Sequence, residues 1–396
     1  MAGVEPQKIV VVGSSIAGVR AAEEFRRRGY DGELVMIGKE QHFPPYDRPP
    51  LSKEVLSGKW DPEQARLFLY EEVRAELILG TAASGLDVAR QEVRLGNGST
   101  VPYDRLVIAT GAAARPLRVP GAELDGVHYL RTAEDCVRVL QGISSGPRVT
   151  IIGAGFIGAE VASVCREQNL QVTLVDVSTR PLSEAVGDRM SEYFVKQHLE
   201  HGTTMRLGVG ISKVIGADRV ERVELTDGSY IDTDLLIVGI GVVPETAWLD
   251  TSELVLDNGV VCDEFCAPLG TRNMAAAGDV ARWFNPRYGV HTRVEHWSNA
   301  VEQAEYVAGL LLEGRENRPP FAGLPYFWSD QYGSRVQFVG VSGPQAEVSE
   351  GSLEEGKCVI TYTRMGRPVG ALCINWPARL QKYRKLLERS SDEGQR

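Results

Sequence analysis

The sequence has few cysteines, and none is arranged for disulfide or metal chemistry. Its six cysteines include no Cys-x-x-Cys pair, the spacing typical of redox-active dithiols and of many zinc and iron–sulfur sites. Even the closest two, Cys262 and Cys266, lack a neighbouring histidine or cysteine cluster. We therefore predict no metal site and six buried free thiols, namely Cys136, Cys165, Cys262, Cys266, Cys358 and Cys373.

Excess positive charge and long apolar runs are also missing. The net charge of −10 argues against nucleic acid as a general partner. One of the longest apolar runs, LLIVGIGVVP, is too short to cross a bilayer, and MAGVEPQK at the N-terminus lacks the features of a signal peptide. We expect a cytoplasmic protein without a membrane partner. Its 396 residues, 43% of them hydrophobic, suit two or three globular domains.

Two glycine-rich loops are the strongest signals present. VVVGSSIAG at 10–18 and TIIGAGFIG at 150–158 each follow an apolar β-branched run and precede a helical pattern. In this context backbone N–H groups at a helix N-terminus can face a dinucleotide pyrophosphate. The predicted contacts are Gly13, Ser15, Ala17 and Gly18 in the first loop and Gly153, Gly155 and Gly158 in the second. Ser15 occupies the middle glycine position, where its small side chain is tolerated.

An acidic residue follows each loop at the end of the next predicted strand. Glu40 and Asp176 lie about 20 residues after their loops, where a carboxylate accepts hydrogen bonds from a ribose diol. The alternative is that each is only a polar residue at a strand end. Asp176 would repel a 2′-phosphate and Val177 offers no cation, although Arg180 is close enough to swing toward one. We expect NADH to be preferred at least about tenfold, roughly 1.4 kcal/mol.

Further candidate contacts lie in a proline-rich segment and at strand ends. The segment FPPYDRPPLSK at 43–53 is too rich in proline for a strand or helix interior. Arg48 and Lys53 within it are better explained by an anionic ligand than as solvated charges. Small residues that end apolar strands and permit close backbone approach are Thr110, Gly111 and Gly241.

The order of these patterns predicts an interrupted α/β architecture. Residues 1–112 and 246–323 would form one dinucleotide-binding domain, and residues 113–245 a second domain inserted into it. Residues 324–396, with strand patterns VQFVGV, KCVITYT and VGALCIN and the helical pattern PARLQKYRKLLER, would form a small α+β domain.

The motifs together resemble a known family along essentially the whole chain. GSSIAG, RPPLSK, ATG, LRTAED, GAGFIGAE, GIGVVPET, AAGDVA, EHWSNAVEQ and YFWSDQYG are similar to those of the oxygenase-coupled NADH-dependent ferredoxin reductases. This flavoprotein family includes putidaredoxin reductase, rubredoxin reductase and the reductases of Rieske-type dioxygenase systems. The resemblance implies a glutathione-reductase-like fold, with an FAD domain split around an NAD domain and a C-terminal interface domain.

The resemblance also assigns the cofactors. It places FAD on the first loop and NADH on the second. NADH releases two electrons as hydride whereas an iron–sulfur acceptor takes one at a time, and a flavin connects the two. The implied acceptor is a two-iron two-sulfur ferredoxin that serves a cytochrome P450 or a Rieske-type oxygenase.

Several site residues follow from the resemblance alone. It pairs Lys53 with Glu160 beside the reactive flavin edge and places Glu295 near the nicotinamide carboxamide. His296 receives no role in proton transfer. The remaining implied FAD contacts are Asp279 at the ribitol, Arg131, Ala83 and Trp297, of which Ala83 and Trp297 are also explained by ordinary packing.

Docking and alternative functions remain open. An acidic ferredoxin would need a local basic surface, and the cations in question are Arg379, Lys382, Arg384, Lys385 and Arg389 of the last helix, with Arg287, Arg293 and Arg335. A basic helix is also commonly just a solvated face. The same scaffold suits a rubredoxin reductase, an NADH oxidase or a flavoprotein sensor similar to apoptosis-inducing factor. We expect a monomer or a weak homodimer.

Overall fold

The computed structural model describes residues 6–392, and the side chains of residues 390–392 are outside the description. Residues 1–5, where no signal peptide is expected, also lie outside the described residues. The chain divides into two compact units whose segments alternate along the sequence. The first contains Met1–Asp47, Arg66–Ala113 and Val243–Pro325, and the second contains Arg48–Ala65, Ala114–Val242 and Tyr326–Arg396. The predicted three-domain division differs from these two units in two respects: it assigns residues 48–65 to the first domain, and it treats residues 324–396 as a separate domain. The three-domain division therefore stays a prediction.

The first unit is built on a parallel sheet. Its strands, in spatial order, are β19 (Met274–Ala276), β7 (Arg105–Ile108), β1 (Lys8–Val12), β2 (Glu33–Ile37) and β3 (Glu76–Ile78). The central strand β1 is apolar from Ile9 onward because both of its faces are covered, and Ile9, Val10 and Val11 are fully buried. α1 (Ile16–Arg27) follows β1 and packs against α6 (Trp297–Glu313).

One antiparallel sheet and one mixed sheet, both short, complete the first unit. One contains β4 (Ala83–Asp87), β5 (Glu92–Leu95) and β6 (Thr100–Pro102), and another contains β18 (Val260–Cys262), β20 (Ala281–Asn285) and β21 (Val290–Thr292), with β18 and β20 parallel. The strands β8 (Ala112–Ala114) and β17 (Val242–Pro244) form a two-stranded sheet.

The second unit repeats the parallel arrangement. Its sheet has the order β12 (Thr204–Leu207), β11 (Gln171–Asp176), β10 (Arg148–Ile152), β16 (Leu235–Val238) and β9 (Val127–Tyr129). The helices are α2 (Ala133–Ile143), α3 (Phe156–Glu167), α4 (Ser183–Val186) and α5 (Asp188–Glu200). A further antiparallel sheet contains β13 (Ile211–Ile215), β14 (Arg222–Leu225) and β15 (Tyr230–Asp232). The proline-rich segment contributes one 3-10 turn, Pro49–Ser52.

The C-terminal segment of the second unit is an antiparallel sheet followed by a helix. The spatial order is β22 (Tyr326–Gln331), β23 (Ser334–Gly340), β26 (Arg367–Ile374), β25 (Lys357–Arg364) and β24 (Gln345–Ser352), and α7 (Pro377–Asp392) follows. Three of the strands and the helix were predicted, whereas β22 and β24 were not. The predicted fold class, two Rossmann-like domains and a small α+β segment, is confirmed.

The structure bears on three points raised by the sequence: the state of the cysteines, membrane-spanning helices and metal sites. All six cysteines are buried and free, which confirms the prediction. Over residues 6–392, no helix combines the length and apolar character needed to cross a membrane. Within the same range, no group of three or more histidine, cysteine or acidic residues is arranged to hold a metal ion.

Candidate functional site

The first glycine loop turns directly from β1 into α1. Gly13 has a φ of +117°, and a Cβ there would lie 2.1 Å from the carbonyl oxygen of Ala109. A Cβ on Gly18 would lie 1.8 Å from the carbonyl oxygen of Gly13. Both positions therefore require glycine. Ser15 is the N-cap residue of α1, but its side chain makes no capping hydrogen bond, so the first N–H groups of the helix have no side-chain cap.

Four predicted residues lie where parallel strands of the first unit end. Glu40 follows β2, Thr110 and Gly111 follow β7, and Asp279 follows β19. The carboxyl edge of such a sheet is where dinucleotides bind. The loop that carries Asp279 lies against α1, because a Cβ on Gly278 would be 3.2 Å from that of Ala17.

Two of these residues also have structural contacts. The Thr110 hydroxyl donates to the carbonyl oxygen of Glu245 at 2.8 Å, and Gly111 has a φ of +68°. Tyr46 donates a hydrogen bond to the carboxylate of Glu40. Ala83 is the first residue of β4 and so does not lie at the carboxyl edge of the parallel sheet. Its segment nevertheless contacts this edge, because Gly80, three residues earlier, donates its N–H to the Glu40 carbonyl oxygen at 3.2 Å.

The start of α6 brings together Trp297, Glu295 and His296. Trp297 Nε1 donates to the Asp47 carboxylate at 2.8 Å, and burial raises the pKa of Asp47. Glu295 forms a 2.8 Å ion pair with Arg293. Burial lowers the pKa of His296 to about 4, so its ring is neutral at pH 7.

The second glycine loop has the same turn geometry with one informative difference. Gly153 has a φ of +96°, and its Cβ would lie 2.2 Å from the carbonyl oxygen of Gly239; a Cβ on Gly158 would lie 1.9 Å from that of Gly153. A Cβ on Gly155, in contrast, would meet no heavy atom within 4 Å. Glycine at 155 is therefore not explained by packing within the protein, whereas close approach of a pyrophosphate would explain it.

The carboxyl edge of the second sheet contains the remaining nucleotide residues. Asp176 ends β11, and its two oxygens accept from the backbone N–H groups of Ala154 at 2.6 Å and Ser178 at 2.7 Å. Each oxygen keeps a lone pair for a ribose hydroxyl. Gly241 follows β16 with a φ of +90° and nothing within 4 Å of a Cβ.

Arg180, the cation that could favour a 2′-phosphate, is already paired. Its guanidinium contacts the Asp188 carboxylate, and its backbone N–H donates to the Ser178 hydroxyl at 3.0 Å. Both partners of the ion pair are more than half exposed. A pair this exposed is weak, and it competes with any phosphate for Arg180.

Glu160 is the most enclosed charged group of the second site. It is 2% exposed and lies in α3, two residues after Gly158. Its Oε2 accepts from Lys53 Nζ at 2.9 Å and from the Ser52 hydroxyl at 2.5 Å, and its Oε1 accepts from the Ser329 hydroxyl at 2.7 Å. The predicted pairing of Lys53 with Glu160 is therefore present. Burial raises the pKa of Glu160, and Lys53 and the two hydroxyls oppose that shift.

Arg48 and Arg131 also meet within the second unit. Arg48 Nη1 donates to the carbonyl oxygen of Arg131 at 2.6 Å. Arg131 follows β9 at the carboxyl edge of the sheet and precedes α2, whose N-cap Thr132 forms a capping box with Asp135. The backbone that presents Arg131 is thus held from both sides.

The basic surface of α7 is partly neutralised. Arg379 and Lys382 bind Glu350 at 2.9 and 2.8 Å, and Arg384 binds Glu388 at 3.2 Å. These ion pairs reduce the positive field that the sequence composition suggests.

Three residues at these sites were not predicted from the sequence: Asp47, Ser52 and Ser329. All three lie in the segments FPPYDRPPLSK and YFWSDQYG. Residue type alone could not select them, because serine and aspartate are common in loops. Their positions next to Lys53 and inside a recognised motif were the available signal.

The donor sets of the two loops fit dinucleotides. Each loop presents uncapped helix N–H groups without an acidic residue in the first helical turn, and a carboxylate follows the next strand. Such an edge binds a pyrophosphate and a ribose.

Comparisons with known proteins agree with this geometry. Residues 7–304 match the model of the pyridine nucleotide-disulphide oxidoreductase family, and residues 326–394 match the model of a reductase C-terminal domain family. Rhodocoxin reductase of Rhodococcus erythropolis is 37% identical over 96% of this chain and 89% of its own length. The ferredoxin--NAD(+) reductase subunit of a benzene 1,2-dioxygenase system from Pseudomonas putida is 33% identical over 96% of this chain and 92% of its own length.

A solved structure is similar over nearly the same extent. The reductase in a covalent putidaredoxin reductase–putidaredoxin complex has a TM-score of 0.91 at 31% identity, covering 96% of this chain and 93% of the other. The chain therefore belongs to the pyridine nucleotide-disulphide oxidoreductases, and among them to the family that contains the ferredoxin reductases of oxygenase systems.

Proposed function

We propose that this chain is an FAD-dependent NADH:ferredoxin reductase. It takes hydride from NADH and passes single electrons to a two-iron two-sulfur ferredoxin that serves a cytochrome P450 or a Rieske-type oxygenase. The observation that carries the proposal is the buried Lys53–Glu160 pair directly behind a nucleotide-binding glycine loop. The names and extent of the relatives support it. We place the enzyme in the cytoplasm.

The proposal divides the chain by cofactor. Residues 1–112 and 246–323 form the FAD domain, residues 113–245 the NAD domain and residues 324–396 the interface domain. In the FAD domain, the N–H groups after Gly13 bind the pyrophosphate, Glu40 binds the adenosine ribose and Asp279 binds the ribitol. The other proposed FAD contacts are Ser15, Ala17, Gly18, Arg48, Lys53, Ala83, Thr110, Gly111, Arg131 and Trp297.

The NAD domain binds and orients the donor. The open side of Gly155 admits the pyrophosphate between Gly153 and Gly158, and Asp176 binds the ribose diol. When bound, FAD supplies a ring system that accepts a hydride and releases electrons singly.

At the reacting end, the chain contributes a charged pair held in a fixed position. Glu160 holds the Lys53 ammonium in one position because the carboxylate is itself bound by two hydroxyls. Ion pairs held this way need little reorganisation during reaction. Glu295 and Trp297 are proposed to border the nicotinamide.

The test is an electron-transfer assay on the purified protein. We expect bound FAD, and we expect cytochrome c reduction from NADH to accelerate when a two-iron two-sulfur ferredoxin is added. Peroxide formation without ferredoxin-dependent acceleration would instead indicate an NADH oxidase. A long-lived complex without turnover would indicate a sensor, and protein without flavin would contradict the proposal outright.

A further inference from the structure

Two side chains of β22 reach Glu160 from the C-terminal segment. Ser329 and Gln331 are two residues apart in β22 and therefore lie on the same face of the strand. Ser329 is fully buried and Gln331 is 4% exposed. Ser329 donates to Glu160 Oε1 at 2.7 Å, and Gln331 Nε2 donates to the Ser329 oxygen at 3.0 Å.

The chain of hydrogen bonds has one direction. A serine hydroxyl carries a single proton. Because Gln331 donates into the Ser329 oxygen, the Ser329 proton points at Glu160 and its dipole favours the carboxylate. Gln331 has no titratable proton, so the chain ends there. It orients a dipole and does not conduct protons.

The two carboxylate oxygens of Glu160 accept hydrogen bonds from different segments of the polypeptide. Oε2 accepts from Lys53 and Ser52. Among the residues that the structure describes, Ser329 is the donor found at Oε1. Lys53 is the charged group that acts on Glu160, since Ser52, Ser329 and Gln331 are all neutral.

We propose that Ser329, oriented by Gln331, is a positioning residue that keeps Glu160 ionised and aims its other oxygen at Lys53. The C-terminal segment thereby takes part in the chemistry of the nucleotide site. The role of this carboxylate in hydride transfer rests on the proposed function; its ionisation does not.

The primary experiment is an infrared titration of the flavin-loaded protein. The carbonyl band of protonated Glu160 is assigned by its loss in Glu160→Gln, and its pH midpoint is measured in Ser329→Ala. Loss of a donor to the anion disfavours the charged form. We expect the midpoint to rise by about one pH unit, a tenfold change in the protonation equilibrium.

A kinetic readout accompanies the titration. The pH profile of flavin reduction by NADH is expected to shift in the same direction in Ser329→Ala, and Ser329→Thr, which keeps the hydroxyl, is expected to restore both profiles. The infrared titration needs neither NADH nor ferredoxin. Failure of the proposed function would therefore remove the kinetic signal and leave the titration intact.

Ser163→Ala is the matched control. Ser163 is 3% exposed, lies in α3 like Glu160, and accepts from the backbone N–H of Tyr332 at 2.7 Å. The Ser163→Ala variant loses a buried serine hydroxyl whose hydrogen bond is to Tyr332 and not to Glu160. If Ser329→Ala does not fold, Gln331→Leu replaces it, with a smaller shift of the same sign expected. An unchanged midpoint in the Ser329 or Gln331 variant, or an equal shift in Ser163→Ala, would overturn the proposal.

Discussion

Lys53 Nζ lies 2.9 Å from Glu160 Oε2, although the two residues come from a proline-rich turn and a helix far apart in sequence. The Lys53 side chain is 10% exposed and that of Glu160 is 2% exposed. A pair this enclosed differs from a surface ion pair, because removal of one partner leaves the other charge in a poorly solvated position.

Glu160→Ala is accordingly expected to affect both stability and rate. Loss of the carboxylate should lower the free energy of unfolding by about 3 kcal/mol. It should slow flavin reduction in stopped-flow mixing more than it weakens FAD retention. The matched control is Glu167→Ala in the same helix, where the carboxylate is 46% exposed and lies 3.6 Å from the Lys59 ammonium; we expect a change below about 1 kcal/mol there. An unaltered rate in Glu160→Ala would refute a role for the pair in hydride transfer.

Gly155→Ala separates nucleotide binding from folding. A Cβ at this position meets nothing within 4 Å in the protein, so stability should be unchanged. The methyl group would nevertheless obstruct a pyrophosphate. We expect the Kd for NAD+, measured by calorimetry, to rise about tenfold, equivalent to ~1.4 kcal/mol, with normal FAD content.

The comparison variant for this prediction is Gly153→Ala. Its Cβ would lie 2.2 Å from a backbone oxygen, so we expect that protein to be poorly folded. Normal NAD+ affinity in Gly155→Ala would show that the nucleotide does not approach this loop.

Asp188→Asn is predicted to relax the preference for NADH. The substitution releases Arg180, which then becomes available to a 2′-phosphate. Because the ion pair is exposed, the gain in the NADP+ to NAD+ affinity ratio should be no more than about fivefold, corresponding to about 1 kcal/mol. Arg180→Ala in the same background should abolish the gain. An affinity ratio identical in wild type and Asp188→Asn would mean that Arg180 does not reach the 2′ position.

Stability should fall in mildly acidic solution because of His198. This residue is 2% exposed, its Nδ1 lies 2.6 Å from the Tyr332 hydroxyl, and burial lowers its pKa to about 4. The unfolded chain binds a proton near pH 6.5, so this contribution is complete above pH 6.5 and is lost as the pH falls toward 4. The lowered pKa corresponds to up to about 3 kcal/mol.

The measurement is urea unfolding of wild type and His198→Gln at several pH values between 7 and 4. The variant should show the flatter pH dependence of the two. His201→Gln, which removes a ring stacked on Tyr332 at 4.2 Å, serves as the comparison. Parallel curves for wild type and His198→Gln would contradict the assignment.

Electrostatic steering of the ferredoxin is expected to be modest. Arg379, Lys382 and Arg384 of α7 are engaged by acidic residues of this chain. We therefore expect the apparent KM for an acidic ferredoxin to rise with salt, with a further increase when Lys385 and Arg389 are changed to glutamate. A flat salt response would remove α7 as a docking surface.

The sequence predicted the parts of this molecule that local rules control. Gly13 and Gly153 are recognisable because their positive φ and close backbone contacts admit only glycine. The strand β24 was missed because its sequence QAEVSEGS is polar and half-exposed along its length. Ser329 was missed because its contact with Glu160 joins distant segments, and a buried serine has no signature of its own. Lys53 and Glu160 were paired through the family resemblance.

The Glu160 carboxylate accepts hydrogen bonds both from the proline-rich turn and from β22. The C-terminal segment therefore cannot be replaced by that of a related protein without regard to the residue that contacts Glu160. A chimera that receives this segment from another reductase also receives the residue facing Oε1. Laboratory recombination at the start of β22 should therefore preserve the pH profile of flavin reduction only when the incoming segment supplies a hydroxyl at position 329.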